Sequence, residues 1–149
     1  MFIGEARGQT EAKTGRPCCG RAGKVLDALL QKIGIDRKDV YITNIVKDRP
    51  PGNRDPLPDE ISAYAPFLDR QIEIIQPRVV ATLGRFSMQY VMNRYGLEWE
   101  LAPISVLHGK VFDAPNFKFV PLYHPAAAIY NQELLKTLEK DFEVLKTVL

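Results

Sequence analysis

Cysteine is nearly absent from this chain: its 149 residues include only Cys18 and Cys19, which are adjacent. Neighbouring cysteines rarely form a disulfide, because the bond needs a geometry that the stiff backbone between them disfavours. Two thiols also cannot complete a zinc or iron–sulfur site without further ligands. The sequence therefore predicts two reduced cysteines that play no redox part.

The chain also lacks a long apolar run and an excess of charge of either sign. No stretch of about 18 apolar residues occurs, so we expect no membrane-spanning helix and no membrane partner. The first residues have neither the basic nor the apolar region of a signal peptide, which predicts a cytoplasmic protein. With 20 basic and 18 acidic residues, the composition permits nucleic-acid binding without requiring it.

Short apolar runs alternate with segments of helical periodicity along the whole chain. The strand-like runs are 1–3, 40–45, 78–84 and 117–123, and the helical segments are 24–33, 59–76, 86–95 and 127–149. Such alternation is typical of a parallel sheet with helices on both faces. We therefore predict an α/β fold: one three-layer α/β/α domain around a central, mainly parallel sheet of four strands.

Two stretches do not fit this alternation. Residues 98–114 are irregular and suit either a hairpin or an extended excursion. Pro66 lies inside the second helical segment, where it either kinks the helix or marks its first turn.

Polar and glycine-rich motifs lie at or directly after the ends of three of the predicted strands. They are Gly4-Glu5-Ala6-Arg7-Gly8, Thr43-Asn44 and His124-Pro125-Ala126-Ala127. Because the carboxyl ends of the strands line the ligand crevice of an open α/β sheet, these motifs are expected to open into one cleft. The stretch Gly15 to Ala22 has the glycine spacing of a phosphate-binding loop, but Arg21 and Ala22 replace its lysine and hydroxyl residue. The sequence thus argues against nucleotide hydrolysis.

Together these motifs resemble those of the uracil-DNA glycosylase superfamily, and most closely those of family 4, the iron–sulfur type. The other motifs that carry the resemblance are Gly15-Arg16-Pro17, Gly20-Arg21-Ala22-Gly23, Arg49-Pro50-Pro51-Gly52-Asn53-Arg54-Asp55-Pro56 and residues 76–85. The resemblance covers nearly the whole chain and implies one glycosylase-like domain over residues 1–149. It also implies a DNA repair enzyme that flips a damaged base and hydrolyses its N-glycosidic bond.

The resemblance assigns roles to individual residues of the cleft. His124 matches the histidine that donates to the base carbonyl O2, and Asn44 matches the asparagine that reads the Watson–Crick edge of the flipped base. Glu5 and the backbone of Ala6 would form the pocket rim. Ala6 stands where other families have a water-activating aspartate, so water activation would come from Asn53 or Glu11. The alternatives are structural: His124 as a helix cap, and Asn44 as a polar strand end.

Further residues match positions that contact DNA in the superfamily. The expected phosphate contacts are Arg49 and Arg54, with Arg16, Arg21 and Arg85 near other turns, although each also suits an ordinary solvated charge. Arg7 suits either a phosphate contact or stacking on a base. Ile129 and Tyr130 stand where superfamily members push a wedge into the base stack. Their alternative is the first apolar turn of the last helix.

The chain departs from family 4 at its cluster ligands. Family 4 holds a 4Fe–4S cluster through four cysteines, of which two precede the first strand, where this sequence begins. Alignment on the flanking motifs places Asp48 and Tyr64 at the other two positions. We therefore predict no cofactor and no metal site.

The pocket itself also differs from the family pattern. Cys18 stands where the family has a phenylalanine that stacks on uracil, and Arg7 stands where it has proline. We expect a monomeric, monofunctional glycosylase without lysine-based strand cleavage, which acts on single- or double-stranded DNA, most simply on uracil. The alternatives are excision of hypoxanthine, xanthine or a 5-substituted uracil, and a DNA-binding relative without catalysis.

Overall fold

The computed structural model describes residues 1–5, 20–46 and 55–149. Its strands are β1 (Phe2–Gly4), β2 (Ile42–Asn44), β3 (Val79–Leu83), β4 (Phe112–Asp113) and β5 (Lys118–Leu122). Its α-helices are α1 (Arg21–Lys32), α2 (Pro58–Ile75), α3 (Arg85–Arg94), α4 (Ile104–Leu107) and α5 (Gln132–Val148). Short 3-10 helices span Arg37–Asp39, Glu98–Glu100 and Pro125–Ala128.

The strands form one five-stranded sheet in the order β2-β1-β3-β5-β4. The first four are mutually parallel, and β4 pairs antiparallel with β5. The prediction of four strands was wrong by this additional edge strand. A two-residue strand is too short to show a period, and only its pairing with Lys118 and Phe119 defines it. Residues 98–114 hold a 3-10 helix, α4 and β4, so they supply only one strand of the hairpin that β4 forms with β5.

Apolar side chains cover both faces of the sheet, as the predicted three-layer arrangement requires. One core joins strand residues such as Phe2 and Val120 to Leu29 of α1 and Phe142 of α5. The other joins Ile3 and Phe119 to residues of α2, α3 and α4. Successive strand residues alternate between the two cores, because side chains point to opposite faces of a strand. No helix within the described ranges is long and apolar enough to cross a membrane.

Two helix boundaries differ from the sequence pattern. Helix α2 begins at Pro58. Proline suits the first turn of a helix, because the N–H groups there have no hydrogen-bond partner within the helix. The Glu60 carboxylate also accepts a hydrogen bond from the Leu57 N–H at 2.8 Å. Pro66 therefore lies inside the helix, and its reading as the first turn was wrong. The predicted helix 127–149 begins only at Gln132, because Asn131 caps α5 by accepting from the Leu134 N–H at 3.1 Å.

Thr82 is a polar residue in the centre of the sheet. Its hydroxyl is buried in β3 and has no hydrogen-bond partner in the described part of the chain. We expect Thr82→Val to raise the free energy of unfolding by about 1 kcal/mol, because valine keeps the shape and removes the unsatisfied group. Urea denaturation measures the change. The matched control is Thr43→Val, which removes a hydroxyl that donates to Gln71 Oε1 at 3.0 Å and should destabilise the fold. Equal destabilisation by both variants would contradict this expectation.

Candidate active site

The carboxyl edge of the sheet brings the predicted motifs together. Gly4 ends β1 and pairs in register with Asn44, which ends β2. Gly84 follows β3, and its N–H donates to the carbonyl of Leu122, the last residue of β5, at 2.9 Å. His124 comes two residues after Leu122. The sheet order β2-β1-β3-β5 thus places Asn44, Glu5, Gly84 and His124 along one edge.

Asn44 lies against the backbone of Gly4. Its side chain is buried, with only 8% of the residue exposed. A Cβ on Gly4 would lie 2.5 Å from Asn44 Oδ1, so only glycine permits this amide to sit over the end of β1. This placement fits both the structural alternative, in which Asn44 is a polar strand end, and the predicted role of its amide in base recognition.

Glu5 lies at the start of α3. Its carboxylate accepts a hydrogen bond from the backbone N–H of Phe86, in the first turn of that helix. Burial raises the pKa of the Glu5 carboxyl, the Phe86 N–H opposes this, and the nearby charge of Asp55 adds to the rise while that of Arg85 lowers it. The carboxylate therefore sits in a partly desolvated position, where its charge acts more strongly than in water.

Gly84 separates Glu5 from His124. Its backbone has φ 98° and ψ 172°, a conformation that side-chain-bearing residues strongly avoid. A Cβ at this position would collide with Glu5 Oε1 and lie 3.5 Å from the Cβ of His124. The glycine thus leaves room for the Glu5 carboxylate at the end of β3, next to the segment that carries His124.

His124 caps the short 3-10 helix that follows it. Its Nδ1 accepts from the Ala126 N–H at 3.1 Å. A neutral imidazole carries one proton, so a ring that accepts at Nδ1 holds its proton on Nε2. The capping alternative, stated for the last helix, holds only for this 3-10 helix, because Asn131 caps α5. The hydrogen bond to Nδ1 leaves Nε2–H to donate to a ligand.

The comparisons with known proteins agree with this geometry. The model of the Uracil DNA glycosylase superfamily matches residues 1–146. This chain belongs to the uracil-DNA glycosylase superfamily. It is 46% identical to the type-4 uracil-DNA glycosylase of Sulfurisphaera tokodaii over 98% of this chain and 68% of that protein. It is 47% identical to the Saccharolobus solfataricus type-4 enzyme, over 100% and 70% of the two chains. The Thermotoga maritima type-4 enzyme is 41% identical, over 99% and 76%.

Four of the glycosylase's predicted DNA contacts, Arg21, Arg85, Ile129 and Tyr130, lie within the described residues. Arg85 opens α3 next to Glu5, pairs with Asp55 at 3.2 Å and lies over the Phe86 ring at 4.8 Å. Tyr130 is 85% exposed, and Arg21 of α1 donates to its hydroxyl. Ile129 is half-buried next to it. Because α5 begins only at Gln132, the reading of Ile129 and Tyr130 as the first turn of that helix was wrong.

Some predicted site residues of the glycosylase lie outside the described residues. They are Ala6, Arg7, Glu11, Arg16, Cys18, Asp48, Arg49, Asn53 and Arg54. Conversely, sequence reasoning gave no role to Gly84 or to the Phe86 N–H, which together hold Glu5. A glycine between a strand and a helix was the signal that could have indicated them, since such turns expose backbone N–H groups to anions.

Tyr64 tests whether the glycosylase could hold the cluster typical of family 4. Its ring is half-buried against the second core, and its centroid lies 6.2 Å from that of Phe67. A packed phenol ring supplies no thiolate, and iron–sulfur clusters of this type need four. No group of three or more metal-ligating side chains occurs in the described part of the chain. The residues that the structure describes therefore do not fit a cluster.

Proposed function

We propose that this protein removes uracil from DNA as a monofunctional glycosylase. The observation that carries the proposal is the juxtaposition of Asn44, Glu5 and His124 along one sheet edge, made possible by Gly4 and Gly84. An amide, a carboxylate and an imidazole with its proton on Nε2 are the groups that hydrolysis of a uracil nucleotide needs. The family and its relatives support the same activity.

Each group has a distinct part in the proposed reaction. The Asn44 amide binds the Watson–Crick edge of the flipped base, because its oxygen accepts from N3–H and its nitrogen donates to O4. The bond between N1 and C1′ breaks, and its electron pair leaves with the base. His124 Nε2 donates to O2 and stabilises that negative charge.

The sugar is left with positive charge, and a water molecule completes the hydrolysis. Glu5 supplies a negative charge to the same edge, which stabilises an oxocarbenium-like sugar. Water adds to C1′, and the proton that it loses passes through solvent to the departed base anion, which leaves an abasic site and neutral uracil. Asn53 and Glu11 remain the proposed residues for positioning this water.

The experiment that tests the function is base excision from labelled oligonucleotides. Each carries one uracil, hypoxanthine, xanthine or 5-hydroxymethyluracil, in single-stranded or paired form, and alkali reveals abasic sites. We expect uracil release that Asn44→Ala abolishes. Asn116→Ala is the matched control, because Asn116 is exposed at the opposite edge of the sheet, just before β5.

The other outcomes of this experiment are informative as well. Release of a different base alone would favour the second candidate function, which the replacement of a stacking phenylalanine by Cys18 supports. Binding without an abasic product would contradict a catalytic function. The two forms of DNA give the strand preference, and light scattering tests the proposed monomer.

We also propose that the protein works without an iron–sulfur cluster. Tyr64 and Asp48 stand at two of the ligand positions, and Tyr64 is packed into the second core. Protein purified under anaerobic conditions is therefore expected to be colourless and to contain iron well below one atom per chain. A brown protein with stoichiometric iron would contradict this. As a control, a type-4 relative purified in parallel shows that the procedure preserves clusters.

A further inference from the structure

A second cluster of interacting side chains lies behind His124, outside the cleft. His108 Nδ1 lies 2.8 Å from Asp141 Oδ2, and Asp141 of α5 is only 6% exposed. The His108 ring also packs on the Tyr123 ring, with 4.7 Å between centroids and 33° between planes. Tyr123 is the residue directly before His124. This pair, of which Asp141 is buried and His108 half-buried, thus contacts the chain segment that carries the proposed donor.

The backbone around the pair is held just as closely. Gly109, with φ 74°, donates its N–H to the carbonyl of Pro121 in β5 at 2.8 Å. A Cβ on Gly109 would collide with Asp141 Oδ1, so the carboxylate rests against the glycine backbone. Residues 108–109 are therefore held between β5 and α5, near the end of the strand that leads to His124.

Stability alone does not explain why a carboxylate, that of Asp141, is buried in this contact. Burying a carboxylate is costly even when it is paired, and apolar side chains of similar volume often serve as well or better. Helix α5 also has an exposed link to α1, in which Lys32 pairs with Glu139 at 2.9 Å. The His108–Asp141 hydrogen bond orients the His108 ring, because the carboxylate fixes both the tautomer and the orientation of the ring that packs on Tyr123.

We propose that His108, oriented by Asp141, is a positioning residue for His124. The packed His108 ring holds Tyr123, and Tyr123 holds the backbone from which His124 projects. His124 then keeps the hydrogen bond from the Ala126 N–H to Nδ1 and its proton on Nε2. The consequence for catalysis rests on the proposed function of His124, whereas the effect on its tautomer does not.

The chain contains only two histidines, His108 and His124, so each is separately visible by nuclear magnetic resonance of protein with ¹⁵N-labelled histidine. We compare the wild type with Asp141→Asn, which removes the charge, and with His108→Asn, which keeps a donor for Asp141 and removes the ring. In the wild type, the ring nitrogens of His124 are expected to show the Nε2–H tautomer. In both variants they are expected to shift towards a mixture of tautomers.

Excision provides the second readout. Both variants are expected to lower the single-turnover rate constant by between about 10- and 100-fold, because a small misplacement of a reacting group has effects of this size. The dissociation constant for uracil-containing DNA should stay near the wild-type value. Glu139→Gln, which removes the exposed ion pair on the same helix, is the matched control and should change neither readout.

Unchanged His124 signals in both variants would overturn the proposal, even if their thermal stability fell. Unchanged rate constants, with altered signals, would overturn the catalytic consequence. If one variant does not fold, the other still decides. If the wild type excises no base, the proposed function fails, while the His124 signals still test the positioning.

Discussion

His124→Ala is expected to lower the single-turnover rate constant for uracil release by about 10²- to 10³-fold. The proposed reaction places negative charge on the departing base, and removal of one donor aimed at such a charge has effects of this size. In this protein, the Ala126 N–H holds the Nδ1 side of the ring, so Nε2 supplies the donor. Single-turnover excision from a uracil-containing oligonucleotide measures the loss.

The control for this variant must separate the loss of the hydrogen-bond donor to the base from the loss of the helix cap. Loss of the His124 cap should itself cost about 1 kcal/mol of stability. His124→Asn keeps an acceptor suited to the cap but is too short to reach the base. Both variants should therefore lose excision, and only His124→Ala should lose stability. Wild-type excision by His124→Asn would refute the donor role.

Gly84→Ala is expected to abolish excision and to destabilise the fold. The backbone at Gly84 is strained for any residue with a Cβ, at a cost of about 1–3 kcal/mol. The added methyl group would also collide with Glu5 Oε1, so the carboxylate would have to move. Excision and urea denaturation of the purified variant measure the two effects.

Gly96→Ala is the matched control for strain without collision. Gly96 also has a positive φ, 82°, but a Cβ there would meet no atom within 4 Å. This variant should be destabilised and still excise uracil at the wild-type rate. Retained excision in Gly84→Ala would show that the placement of Glu5 against Gly84 does not matter for the reaction.

Most of the architecture could be predicted from the sequence, because burial leaves a local periodic signal. The long helices have enough residues to show a period, and the four parallel strands lie in short apolar runs. β4 has only two residues and exists because Phe112 and Asp113 pair with β5. The late start of α5 depends on one cap, the Asn131 side chain, which an apolar period does not show.

The candidate site divides in the same way. Asn44, Glu5 and His124 could be predicted because each lies at or just after the carboxyl end of a strand, and these ends meet at one edge of a parallel sheet. The contact between Glu5 and the Phe86 N–H joins residues that are far apart in the chain. The pair His108–Asp141 joins residues 33 positions apart, and no local pattern links either to His124.

The sequence by itself determined the fold class, the order of the elements and the residues that stand at the strand ends. These follow from local periodicity and from the identity of short motifs. Only the tertiary structure decided which groups touch: Asn44 over Gly4, Glu5 against Gly84, and His108 between Asp141 and Tyr123. The physical reason is that a hydrogen bond or close contact depends on distances of a few tenths of an ångström. Such distances are set by the packing of whole helices on the sheet, and not by neighbours along the chain.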